Sequence, residues 1–444
     1  MGLAYSGVTS GLRQTAWRAL ALCIGLLITA PASAEAPSAA LVGKVNAAID
    51  ADTDRLVAVF KDLHQHPEIG FTETRTAAIV TRELKGLGFA VTTGIGKTLW
   101  FRADMDAIAV RESTGLAYAA TKPQSLPDGR ESEVMHACGH DAHITWLLGL
   151  AKAMVALKSA WTGTLVVYAQ PAEELGLGAQ AMIDDGLLTR GFPKPDFGLS
   201  SHTAPGPVGY VSNSAGVRMA GMDQLDISFT GLGGHGSAPE LTIDPVVMAA
   251  QAVPSYQTII SRNVDPQSAA VLTVGAIQAG TGNNVIPQTA KLLINLRCFK
   301  PDVRALMIKR IDEVSRGVAI AAGVPEGKLP VRTMKGGAGP LINDPALVDT
   351  VNPALTALLG TDKVVNNFPA VMGSEDYQEV MDAARVPYVF LLIGVAPVDQ
   401  FKAALAAGRS APYSNHNPDF FVDLAAIPIG AKADTIAALS LLAK

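Results

Sequence analysis

The sequence predicts an α/β protein: a discontinuous domain with a largely parallel central sheet, interrupted by a small α+β insert. Three observations carry this expectation. Short apolar runs alternate with helical stretches from Thr98 to about Gly216, the signature of strands joined by crossover helices. From there to Pro330 the strands show period-2 alternation, in the order strand, helix, strand, strand, helix. The first pattern resumes beyond Pro330, so residues 35–216 and 331–444 form one domain around an insert at 217–330.

Taken in order, "LVGKVNAAIDADTDRLVAVFKDLHQHPE" and "TRTAAIVTRELKGLGF" show helical spacing, the second ending at Gly86 and Gly88. Strands are expected at "TLWF", "LVVYA" and "DFGLS", with helices at "ITWLLGLAKAMVALK" and "GAQAMIDDGLL" between them. The three strands run into polar clusters, "RADMD", "PAEE" and "SHT". Ligands bind at the carboxyl ends of strands in open α/β sheets, so these clusters are expected to meet in one crevice. The insert reads as strand "MDQLDISFTG", helix "DPVVMAAQAVPSYQTIIS", strands "AAVLTVGAIQAG" and "QTAKLLINLRCF", and helix "DVRALMIKRIDEVSRGVAIAAG". That order is ferredoxin-like, with helices on one sheet face. "VPYVFLLIGV" is a further buried strand of the first domain.

The 444 residues carry 17% charged side chains and a net charge of −5, which suits a globular protein and argues against disorder. Without a basic run, nucleic acid is excluded as an expected partner. Arg13 and Arg18 precede the apolar stretch "ALALCIGLLITA", and "ASA" at Ala32 to Ala34 offers small residues for cleavage. Residues 1–34 are therefore expected to be a signal peptide, with the mature protein periplasmic or secreted and free of the membrane. The competing reading is a membrane anchor, but the apolar stretch is shorter than the ~20 residues a spanning helix needs. Cys23 falls inside the signal, leaving Cys138 and Cys298, too few for a disulfide framework. Cys298 lies in an apolar-alternating run and reads as a small buried hydrophobe.

"VMHACGHDAH" gathers three of the eight histidines and one of the three cysteines into ten residues. Between Cys138 and His140, one glycine lets the backbone turn so that a thiolate and an imidazole face one ion. "AQPAEE" places Glu173 and Glu174 directly after a strand, where Pro171 breaks the ladder and turns both toward the crevice. A cysteine nucleophile with a histidine base is the alternative, but it leaves Glu174, His202 and His416 unused. No H-E-x-x-H occurs.

Eight ordered motifs, "FRADMDA", "MHACGHDAH", "PAEELGLGA", "SSHT", "FTGLGGHGSAPE", "GNNVIPQ", "MGSEDY" and "NHNPDF", resemble those of the dinuclear-metal aminoacylase and carboxypeptidase-G-like superfamily. The nearest branch is that of hippurate hydrolases and indole-acetyl-amino-acid hydrolases. The resemblance runs from about His64 to the C-terminus. It implies a phosphorylase/hydrolase-like catalytic domain and a lid/dimerisation insert. It further implies that Cys138, His140, Glu174, His202 and His416 ligate two divalent ions, zinc or manganese with cobalt or nickel as further options. Two ions ~3.5 to 4 Å apart lower the pKa of a shared water and polarise an amide carbonyl. Glu173 is then the general base, and Asp104 and Asp106, like Asp141, orient the ligands. His136 and His143 are either supports of this kind or loop caps. His235 is expected to bind the carbonyl or developing oxyanion, and Asn284 and Arg297 to sit near the substrate's carboxylate.

The implied activity is amide hydrolysis of N-acyl amino acids (N-acetyl, N-benzoyl or indole-acetyl) by a homodimer joined through the insert. A dipeptidase or carboxypeptidase would use the same machinery. An inactive metal-binding protein would have no use for Glu173 or His235. Two departures stand out: the connection between "TTGIGKT" and "LWFRADMD" is about a dozen residues shorter than in the family, which puts the sheet edge in question, and Ala109 replaces a proline.

Overall fold

The computed structural model describes residues 35–89, 96–126 and 129–443. The signal peptide expected at residues 1–34 lies outside them. None of the described helices is long and apolar enough to cross a membrane.

A six-stranded sheet organises the first domain, in the order Val364–Val365, Val211–Ser212, Tyr388–Ala396, Phe197–Pro207, Thr98–Asp104, Thr164–Gln170. All its pairings are parallel except that of Val211–Ser212 with Tyr388–Ala396. Every residue of Thr98–Asp104 is buried, as expected for a strand covered on both faces. Its alternate side chains separate two cores. Leu99, Phe101 and Ala103 pack with the helices Thr53–Gln65, His140–Ala156 and Ala426–Leu441, while Trp100 faces Tyr168, Tyr377 and Phe390. The shortened connection falls partly at residues 90–95, outside the described set, and the sheet edge is Thr164–Gln170. The first helical stretch is two helices, Ala39–Asp50 and Thr53–Gln65, broken at Ala51–Asp52. There the buried Asp52 carboxylate forms ion pairs with the partly exposed side chains of Arg55 and Lys152.

In the insert an antiparallel sheet runs Ala270–Ala279, Thr289–Cys298, Gly221–Thr230, Val331–Ala338, with helices Pro245–Arg262 and Pro301–Ala321 over one face. Cys298 is buried in this core. The fourth strand completes the ferredoxin-like order and moves the end of the insert past residue 330. "VRTMKGGA" concealed it because the strand is mostly exposed and ends in glycines, leaving no apolar alternation to read. The chain enters and leaves through one narrow crossing, where Gly216–Met219 pairs antiparallel with Leu341–Asn343.

Candidate metal centre

The three polar clusters converge because their strands are neighbours: Asp104 sits beside Gln170, three residues before Glu173, and Arg102 beside Ser200, two before His202. Cys138 and Gly139 lead into helix His140–Ala156. Gly139 adopts φ +85°, and a Cβ there would lie 2.7 Å from Thr203 Cγ2, so the turn that presents Cys138 and His140 together requires glycine. His416 approaches from a loop with φ +68°, a left-handed conformation rare for histidine, fixed by its N–H donating to the Ala137 carbonyl at 2.7 Å.

Cys138 Sγ lies 3.4 Å from His202 Nε2, and Glu174 Oε1 3.1 Å from His416 Nε2 and 3.9 Å from His140 Nε2. Two sets of potential ligand atoms, Cys138 with Glu174 and His416, and His140 with Glu173 and Glu174, each lie within 4.8 Å of one another. A further set joins Asp104, His140, His143 and His202. All five expected ligands therefore come together. The donor set fits a divalent ion by its unsatisfied atoms: His140 Nε2 and Glu174 Oε1 are buried without a hydrogen bond, the 3.1 Å approach of His416 lying outside hydrogen-bond geometry. Burial and Glu174 oppose ionisation of the Cys138 thiol, yet the imidazoles of His202 and His140 outweigh them and hold it at about 6, suiting a thiolate ligand.

Supporting carboxylates stand behind the ligands. His140 Nδ1 is 3.1 Å from Asp106 Oδ1, whose other oxygen accepts the Glu174 backbone N–H at 3.0 Å. His143 Nδ1 is 2.5 Å from Asp104 Oδ1, and its Nε2 accepts the Thr203 N–H at 2.8 Å, making His143 a brace between two neighbouring strands. Asp141 does something else: its Oδ2 lies 2.6 Å from His64 Nδ1, with Glu112 3.2 Å from the other ring nitrogen. Both nitrogens of buried His136 lack a hydrogen bond.

Glu173 is buried, and its carboxyl is pushed well above the ordinary range by burial first, then by Glu375 and Glu174. Its oxygens share a 4.8 Å neighbourhood with Glu375 and Asp376. These two belong to a network the sequence reading left without a role. Arg102, fully buried, donates to Gln170 at 3.0 Å, to Asp104 at 2.8 Å, to both Glu375 oxygens at 2.8 and 3.1 Å, and to Asp376 at 3.5 Å. The arginine in "FRADMDA" and the acids in "MGSEDY" were the only signals for it, and their 273-residue separation hides the pairing.

The insert residues stand apart within one chain. His235 is exposed, with its Nδ1 accepting from the Ser237 N–H at 3.1 Å, and Asn284 is exposed, its carbonyl accepting the Gly236 N–H at 2.8 Å. The two lie side by side where Gly234–His235 pairs with Val285–Ile286. Neither has a contact with the five ligands among the described residues. Arg297 reaches back toward the first domain, donating to the Met372 carbonyl at 2.7 Å and to Ser374 Oγ at 3.4 Å, next to Glu375.

The sequence model of peptidase family M20/M25/M40 matches residues 100–434, spanning every proposed ligand. The chain is 35% identical over 345 residues to the hippurate hydrolase of Campylobacter jejuni, covering 74% of this chain and 85% of that protein. It is 33% identical over 386 residues to the N-acetyldiaminopimelate deacetylase of Streptococcus sanguinis, covering 83% and 93%. Among solved structures, a putative aminohydrolase from methicillin-resistant Staphylococcus aureus superposes with a TM-score of 0.76 at 29% identity, covering 90% of this chain and 99% of that one.

Proposed function

Because the chain belongs to peptidase family M20/M25/M40, we propose that its crevice cleaves the amide bond of N-acyl amino acids, with Glu173 as general base. The enzyme is a metal-dependent amidohydrolase. The observation that supports the assignment of Glu173 is that its carboxyl stands beside two of the expected ligands, His140 and Glu174, and also within reach of the buried acids Glu375 and Asp376, whose charge favours a proton on it.

Cys138, His140, Glu174, His202 and His416 would hold two divalent ions, zinc or manganese, which supply a water of lowered pKa and a polarised carbonyl when bound. Glu173 takes the proton of the attacking water and returns it to the leaving nitrogen, and its buried, acid-lined surroundings favour holding that proton in between. Asp106 fixes His140 and the Glu174 backbone together, so ligand and base keep their spacing. Arg297 offers a cation for the substrate's carboxylate from the insert side. In this reading His235 and Asn284, exposed on the insert, enter the site of a second subunit, with His235 donating to the carbonyl oxygen as charge develops. A homodimer joined through the insert follows from this reading, and so does a periplasmic or secreted location from the N-terminal signal pattern.

A hydrolysis screen of the metal-reconstituted protein against N-acetyl, N-benzoyl and indole-acetyl amino acids and against dipeptides tests the substrate class. Turnover of acyl amino acids with kcat lowered by ~10² to 10⁴-fold in Glu173→Gln is expected. Preferential turnover of dipeptides would overturn the substrate assignment, and loss of metal in Glu173→Gln would mean that Glu173, not Glu174, is the ligand.

A further inference from the structure

Phe71 is an aromatic residue in a left-handed backbone conformation, φ +68°, with its side chain 52% exposed. For a bulky residue this backbone is an outlier that persists only where the surroundings enforce it. Here they do. The Glu68 carboxylate accepts the N–H groups of Arg75 at 2.9 Å and Thr76 at 2.8 Å, capping helix Thr74–Gly86, and the Glu68 carbonyl accepts the Ala107 N–H at 2.8 Å. On the other side Thr72 closes the turn onto the Ile69 carbonyl, and the Glu73 carboxylate accepts the Ala172 N–H at 2.8 Å. The strained tip is thus held rigidly, yet its ring adds nothing to the core.

What that tip adjoins is the loop carrying the two glutamates. Gly70 packs so closely against it that an added Cβ would lie 3.0 Å from Ala172 Cα and 3.3 Å from Leu175 Cδ1. Leu175, directly after Glu174, is itself 42% exposed, and Ala172, directly before Glu173, also has positive φ, +51°. One exposed apolar side chain, Leu175, thus directly follows the Glu173–Glu174 pair, and a second, Phe71, stands on a strained turn whose Gly70 packs against the same loop.

We infer that Phe71, with Leu175, forms the apolar wall that receives the acyl group of the substrate and sets preference for large, planar acyl groups. An N-acyl amino acid has one uncharged half and one carboxylate half. An aromatic and aliphatic rim suits the uncharged half, whereas the carboxylate calls for a cation such as Arg297, which comes from the insert. The inference rests on the amide-hydrolase reading above and adds the specificity determinant to it.

The test measures kcat/KM for N-benzoyl and N-acetyl derivatives of one amino acid, and then for one acyl group on several amino acids, in the parent and in Phe71→Gly, Phe71→Ala and Phe71→Tyr. Removing the ring is expected to lower kcat/KM roughly 10-fold or more for the benzoyl substrate, the scale on which apolar pocket contacts discriminate, and to leave the acetyl substrate within about 2-fold. Phe71→Tyr should keep the parent's preference. Glycine tolerates positive φ, so Phe71→Gly should fold with an unchanged or higher Tm, which separates loss of the ring from loss of structure. An equal fall for both acyl groups, or a change in preference among amino acids instead, would overturn the inference while leaving the enzyme assignment standing. A parent inert toward every acyl amino acid would remove the assignment and the inference with it.

Discussion

Replacing Arg102 with methionine keeps much of the side-chain volume and removes the buried guanidinium that contacts Asp104, Glu375 and Asp376. Three buried carboxylates then lose their shared cation, and Gln170 loses a donor at 3.0 Å. Removing one partner from a buried ion pair costs about 3–5 kcal/mol, because the remaining charge stays desolvated. The cost has a pH signature. Burial raises Asp376 to about 7 even though Arg102 lowers it, so removing the arginine pushes this carboxyl higher still. An acid whose folded pKa exceeds its unfolded value binds more protons when folded, so stability falls as pH rises between the two values. The deficit of Arg102→Met should therefore be larger at pH 8 than at pH 5.5, where a protonated Asp376 needs no countercharge. Urea unfolding of the wild type, Arg102→Met and Arg102→Lys at both pH values measures it, with lysine intermediate because it keeps the charge but not the fork. A deficit below ~0.5 kcal/mol, or one identical at both pH values, would refute the view that this arginine balances ionised carboxylates.

Elemental analysis of the reconstituted protein should find about two divalent ions per chain, with activity lost to a chelator and restored by metal; a ceiling of one ion would contradict the dinuclear reading. Burial disfavours the charged form of His64, but Asp141 and Glu112 raise its pKa from 6.5 to about 9. Its stabilising contribution is therefore complete below pH 6.5 and disappears as pH rises through 9, so the stability gap between wild type and His64→Gln should narrow over that window in denaturation experiments. His235→Ala should retain both ions yet lose most of its kcat, and mixed dimers with Glu173→Gln should recover part of the activity. Failure of that rescue in verified mixed dimers would assign His235 to its own chain's site.

The legible part of this protein was local. Cys138 and His140 share a turn, Glu173 and Glu174 follow one strand, and His202 comes just after the apolar half of another, Phe197–Pro207, so each announces itself within a few residues. Strand neighbours then bring these short signals together without further coding, because parallel strands deliver their carboxyl ends to one edge. Arg102 and Glu375 were hidden by distance along the chain, since buried ion pairs leave no periodic trace. The strand Val331–Ala338 was hidden by exposure, having too little apolar alternation to separate it from a loop. Phe71 illustrates a third limit: nothing in "HPEIGFTE" states the sign of a backbone angle, which the anchoring of Glu68 and Glu73 imposes from either side.

The crossing in which Gly216–Met219 pairs with Leu341–Asn343 bears on how the chain finds its fold. Parallel pairing of Phe197–Pro207 with Tyr388–Ala396 must wait until the whole insert has been accommodated, and the entropy of closing so long a loop opposes it. An insert that folds early brings its own two ends within hydrogen-bonding distance and turns that long closure into a short one. The ferredoxin-like unit would thus act as a folding staple for the domain that surrounds it, and the order of assembly would run from the inside of the sequence outward.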